Sequence, residues 1–218
     1  MIPRSELYAT SPFAIVLLAM FGFSLAQGDT YSYWTEIISI ALLSVPAILA
    51  WKDVISIPLP LTFGVGVALS LHCAGLVTQW YTTTDAFGYI AHFVSGIVVA
   101  WLMATFLFVA TYYDQKMIIP VRWIPFFIFV SVLALEGFWK IFEFTADHTL
   151  GTMMQHGLSD TMNDNLSDTL AGIVGGFWVA AYAKHVPVAV FVSRLRLDRS
   201  DAWLRRRFDR TQPSEGAQ

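Results

Sequence analysis

Six long apolar runs, at residues 8–27, 34–51, 57–78, 88–112, 121–144 and 166–183, constrain this chain more than any other feature. A helix needs about 20 mostly apolar residues to cross the hydrocarbon of a bilayer. Backbone polar groups in lipid must be satisfied within the segment or a closed barrel, and runs of this length read as helices. They use most of the 218 residues and leave no room for a second soluble domain. Only 13% of the residues are charged, against about 25% in a soluble domain. The expected fold is all-α: a polytopic membrane bundle of about six transmembrane helices over residues 1–185. The first run, preceded by Arg4 and Glu6, reads as a span rather than a cleaved signal.

The basic residues orient the bundle. Arg4, Lys52, Lys116, Arg122, Lys184 and the arginines from Arg194 to Arg210 all fall on one side of an alternating six-span topology. Lys140 alone of the 13 basic residues falls on the other. By the positive-inside rule both termini are then cytoplasmic. Residues 186–210 alternate arginines with Val190, Leu197, Leu204 and Phe208. They predict an amphipathic helix lying on the inner leaflet and held by anionic lipid. Residues 211–218 read as a disordered tail. One short basic patch beside a span excludes nucleic acid as a partner and leaves membrane lipids. The single cysteine, Cys73, excludes an internal disulfide. Pro12, Pro58, Pro60 and Pro120 read as residues that open helices, and Pro46 as a kink within one.

Charged groups inside spans are costly and need an explanation. At about 100° per residue, Asp85, Tyr89, His92 and Gly96 fall within about 60° of arc, and so do Glu136, Lys140, Glu143 and Asp147. Asp160, Asp164 and Asp168 follow at i, i+4 and i+8, and His72 lies in the third run. All these stripes lie toward the outer ends of their spans. None can face lipid, so they predict one polar cavity lined by His72, Asp85, Tyr89, Glu136, Lys140 and Asp147 and open to the extracytoplasmic side. His148 and His156 read as outer-loop residues. Gly172, Gly175 and Gly176 would let the last span pack closely just beneath the cavity.

Three aspartates on one helical face repel one another unless a cation sits among them or one stays protonated. Asp160, Asp164 and Asp168 are therefore the expected ligands of a divalent ion. Carboxylates without cysteine suit magnesium, calcium or manganese, and nearby histidine admits zinc. His92 and Glu143 are the acid–base candidates of a metal-dependent reaction. Two other readings stand beside this one. In one, the carboxylates carry protons or cations in a small transporter; in the other, Glu136, Lys140 and Glu143 form a structural ion-pair network.

The run Asp164-Asn-Leu-Ser-Asp168-Thr-Leu-Ala-Gly172-Ile-Val-Gly175-Gly176 resembles the final-helix signature of VanZ-like membrane proteins. Asp85 with Tyr89-Ile-Ala-His92-Phe93 is similar to their His-Phe element, and Glu136 to Glu143 to their mid-chain glutamate motif. Gly157-Leu-Ser-Asp160 with Asp164 and Asp168 resembles the Asp-rich run of the YjdF-like family. The resemblance covers roughly residues 80 to 178. It implies a multi-pass protein of a prokaryotic inner or plasma membrane. Its association with glycopeptide resistance hints at binding or processing of an envelope lipid or polyprenyl phosphate.

Overall fold

A computed structural model describes residues 4–114, 116–152, 154–155, 157–197 and 200–209, with the side chains of residues 4–7, 85 and 209 left aside. Six helices in it are long and apolar enough to cross a membrane. They are α1 (Arg4–Gln27), α2 (Thr30–Trp51), α3 (Leu59–Val77), α5 (Asp85–Tyr113), α6 (Ile124–Leu150) and α7 (Leu158–His185). A short α4 (Trp80–Thr83) precedes α5, and a 3₁₀ turn (Val121–Trp123) leads into α6. No strand occurs among the described residues.

The apolar side chains point outward. Phe106, Ile141 and Phe177 are each more than 60% exposed, the reverse of a soluble bundle and the arrangement lipid requires. Inside, α1, α2 and α3 pack against one another, α5, α6 and α7 do the same, and α3 with α5 joins the two groups. Leu17, Leu43 and Cys73 fill the first group. Ala100, Ala104, Ile128, Val132 and Val179 fill the second.

Small residues set how closely the second group closes. A Cβ added at Gly96 would lie 2.6 Å from the Ala171 Cβ, and one at Gly175 would lie 2.6 Å from the Ala100 Cβ. At Gly176 it would meet the Pro125 carbonyl oxygen at 2.8 Å. Glycine thus lets α7 touch α5 on one side and the start of α6 on the other. Gly151 ends α6 at φ 68°, a left-handed conformation that glycine adopts without strain.

Pro58 caps α3 and Pro60 lies in its first turn, and Pro120 precedes the turn into α6. Pro12 does not open α1: the helix begins at Arg4 and runs through it. Pro46 lies buried inside α2.

Residues after α7 form two short helices, α8 (Val188–Ser193) and α9 (Asp201–Asp209), separated by Arg196 at φ 47°. They fold back against the bundle. Phe191, Val192, Leu195 and Leu197 are buried in the second core, with Leu204 and Phe208 packed against it, while Val190 points out. Ser56 N donates to Leu195 O at 2.6 Å, the Ser200 hydroxyl to Val54 O at 2.7 Å, and the Tyr113 hydroxyl to Asp201 Oδ1 at 2.7 Å. The segment therefore sits at the same end of the bundle as the α2–α3 loop. The tail over residues 211–218 lies outside the described residues.

Candidate functional site

The polar stripes of α5, α6 and α7 meet. His92 stands between two carboxylates of α7, with Nε2 3.3 Å from Asp164 Oδ2 and Nδ1 3.2 Å from Asp168 Oδ2. From α6, Lys140 Nζ donates to Asp164 Oδ2 at 2.8 Å and to Glu143 Oε2 at 2.9 Å. Asp164 thus lies between a lysine and a histidine. Glu136, one turn below Lys140, comes up against Asp168 and His92: ligand atoms of these three residues lie within 4.8 Å of one another.

Helical geometry explains the meeting. On α7 an i, i+4 pair projects Asp164 and Asp168 from one face. The α5–α7 contact follows the ridge His92, Gly96, Ala100, which holds the imidazole over that pair. Glu136, Lys140 and Glu143 at i, i+4 and i+7 form the facing stripe of α6.

Access is graded. The side chains of His92, Lys140 and Asp164 are 16%, 11% and 10% exposed, and that of Asp168 is fully buried. Asp168 Oδ1 has no hydrogen-bond partner. Beneath it the Gly96–Ala171 and Gly175–Ala100 contacts close the bundle, so exposure falls to nothing at Asp168, the deepest member of the cluster, called the cup below. Counting about 20 residues back from Lys184, where the last span reaches its basic flank, puts Asp164 at the outer hydrocarbon boundary.

Charge does not balance in the cup. Glu136, Glu143, Asp164 and Asp168 supply up to four negative charges, against Lys140 and at most one more from His92. Carboxylates this poorly exposed are costly without a counter-charge, and any excess is met by protons or a cation.

The remaining expected residues are placed differently. His72 hydrogen-bonds the Tyr81 hydroxyl at 3.2 Å and lies within electrostatic range of His92 and Lys140. Asp160 is half-buried in the first turn of α7 with interactions of its own, and the trio that closes on one point contains Glu136 and His92 instead. Asp147 turns away from the cup: it accepts from the Thr152 hydroxyl at 2.6 Å, Met154 N at 2.8 Å and Gln155 N at 3.0 Å, and so ties down the α6–α7 loop. Tyr89, off the His92–Gly96 ridge, is 41% exposed. His148 is exposed and bonded to Phe144 O. The Asp85 side chain and His156 lie outside what the structure describes.

A sequence model of one family, described as "Predicted membrane protein", matches residues 9–185, most of the chain and all six spans. The chain belongs to the DUF2238 family. No curated protein and no solved structure matches it. The DUF2238 match ends where α7 ends, ahead of α8 and α9, so the His92–Asp164–Asp168 cup lies wholly within the family region. This DUF2238 protein is an integral, multi-pass membrane protein.

One buried acid was not anticipated. Glu36 of α2 is 0% exposed, accepts from the Ser24 hydroxyl of α1 at 2.9 Å, and has no partner for Oε2. A signal for it existed, because Glu36 is the only charged residue in the second apolar run, but its one charged neighbour at helical spacing, Asp29, lies outside that run, in the turn before α2.

Proposed function

We propose that this protein binds a divalent cation at an outward-facing intramembrane site, and that the ion engages the phosphate of an envelope lipid such as a polyprenyl phosphate. The observation that carries the cation half is the unbalanced cup, with Asp168 fully buried and one of its oxygens unpartnered.

The donor set fits. Two carboxylates and one imidazole, from Glu136, Asp168 and His92, suit manganese or zinc, with magnesium or calcium as more oxygen-loving alternatives. Histidines that bind metals commonly donate their second ring nitrogen to a carboxylate, which fixes the tautomer and the ring plane. Here Nδ1 faces Asp168, inside the trio, and Nε2 faces Asp164. Asp164 would then orient His92 rather than bind the ion, and Lys140 would hold Asp164 in place.

The lipid half rests on position. A site near the outer hydrocarbon boundary lies where phosphate headgroups lie, and three protein ligands leave coordination positions for phosphate oxygens. The closed seam below Asp168 favours this reading over passage of ions through the bundle. Glu143, bonded to Lys140 near the rim, and His92 remain the groups placed to handle a proton if the bound lipid is processed.

The test is thermal unfolding of purified protein after chelation, with manganese, zinc, magnesium or calcium added back. An ion that binds only the folded state at 100 times its Kd adds about 2.7 kcal/mol. A rise in Tm with at least one ion is expected, and indifference to all four contradicts the proposal. A Tm rise with a short-chain polyprenyl phosphate only when the ion is present would support the lipid half, and no response would remove that half alone.

A further inference from the structure

Glu36 lies in the other half of the bundle, among α1, α2 and α3, and the cup makes no use of it. It is 0% exposed, and Ser24 at 2% and Ser39 at 3% share its surroundings. Its Oε1 accepts from the Ser24 hydroxyl at 2.9 Å, while Oε2 is buried with no partner. Cys73 of α3 donates to the Ser39 hydroxyl at 3.3 Å, and below these groups the core is Leu17 and Leu43. Ser24 also lines a pocket of about 410 Å³ at the outer ends of the helices, together with Phe23, Gln27, Asp29, Val77 and Gln79.

The ionisable groups facing Glu36 are Asp29 from the α1–α2 turn and the Cys73 thiol from α3; from α1 it meets the Ser24 hydroxyl. None of them is cationic. An ionised carboxylate taken out of water without a counter-charge costs far more than a neutral acid lacking one hydrogen bond. A metal ion is a poor solution here. Hard cations take six or more oxygens; among the described residues, beside the Glu36 carboxylate stand only the Ser24 and Ser39 hydroxyls, and both Asp29 oxygens already accept from Ser32. A proton needs only the carboxylate.

We infer that Glu36 is a proton-binding site, loaded from the outer pocket through Ser24. The Ser24 hydroxyl passes its proton to Oε1 and takes one from a hydronium in the pocket. One O–H bond forms on the carboxyl, one breaks on the hydronium, and water remains. The apolar layer of Leu17 and Leu43 stops the proton from going further, so the site exchanges with one side only. This site is separate from the cation cup and stands whether or not the cup binds metal.

Infrared difference spectra of the full-length protein at neutral pH test this, comparing wild type with Glu36→Gln and Ser24→Ala. Wild type minus Glu36→Gln should contain a carboxylic-acid C=O band that shifts in D₂O. Glu136 and Asp168 are unaltered in both, so their bands cancel. Ser24→Ala keeps Glu36 and removes the hydroxyl hydrogen-bonded at Oε1, so the same band should move; this comparison serves even if Glu36→Gln fails to fold. Folding that takes up a proton at Glu36 also makes stability fall as pH rises. The stability of wild type relative to Glu36→Gln should fall as pH rises above the unfolded-chain carboxyl range. Ionised-carboxylate bands in place of the acid band, an acid band unmoved by Ser24→Ala, or equal pH slopes would each overturn the inference.

Discussion

Lys140 holds the rim of the cup together. Its ammonium bonds both Glu143 and Asp164, so removing it strands two poorly exposed carboxylates. Breaking a buried pair from one side costs about 3 to 5 kcal/mol. Lys140→Met should lower stability by that order in chemical denaturation, and added divalent ion should restore part of the loss. A neutral substitution would mean the rim carboxylates are already compensated by protons. At this scale the sequence placed His92, Lys140, Glu143, Asp164 and Asp168 on inward faces because helical angle alone decides a face. It could not decide how the helices rotate against one another. That rotation is set by the Gly96–Ala171 and Gly175–Ala100 contacts, which bring Glu136 to Asp168 and leave Tyr89 outside. Asp147 was illegible for another reason: its partners are loop amides and a loop hydroxyl, whose direction no helical period encodes.

Among the elements, α7 packs its glycines against methyl and backbone groups that have little room to give. Its glycines meet Ala100 on α5 and the backbone of Pro125 on α6. Gly175→Ala presses one methyl against another, and Gly176→Ala presses it against a carbonyl that cannot rotate away. Overpacking of this kind costs about 1 to 3 kcal/mol. Gly176→Ala should be the more damaging of the two in thermal unfolding, and equal wild-type-like behaviour would show the seam to be loose. The apolar runs and this glycine seam were legible as sequence, because both are long periodic signals. The shape of the C-terminal segment was not. A single amphipathic helix fits its pattern, but Arg196 takes a left-handed conformation and the apolar stripe folds inward as α8 and α9. That fold is latched by Asp201, whose carboxyl is held below its usual range by Arg205 and then by the Tyr113 hydroxyl. A depressed carboxyl stabilises the fold above its ordinary pKa, and the contribution disappears as pH falls through the lowered value. Hydrogen exchange over residues 188–209 should accelerate in Asp201→Asn at neutral pH, and in wild type only on acidification. Equal exchange in both proteins at neutral pH would show that the latch contributes nothing.

For the whole molecule, orientation follows from charge. Lys52, Lys116, Arg122, Lys184 and the described arginines of the C-terminal segment lie at the end carrying the α2–α3 and α5–α6 connections and α8 and α9. The positive-inside rule makes that end cytoplasmic and puts the cup toward the opposite, outer end. In a Cys73→Ser background, an impermeant thiol reagent should label Leu158→Cys on intact cells and Ile118→Cys only after the membrane is opened. Both positions are well exposed, at 73% and 82%, so the reverse pattern would invert the account. The central claim, that the cup holds a divalent ion, is tested most directly by metal stoichiometry. Protein stripped by chelator is dialysed to equilibrium against manganese or zinc in turn, and bound ion is counted per chain. Wild type should bind one ion, Asp168→Asn and Glu136→Gln should bind none at the same free concentration, and Asp164→Asn should bind about 10- to 100-fold more weakly as an orienting residue would. Wild type that binds no ion, or Asp168→Asn that binds as wild type does, would contradict the account.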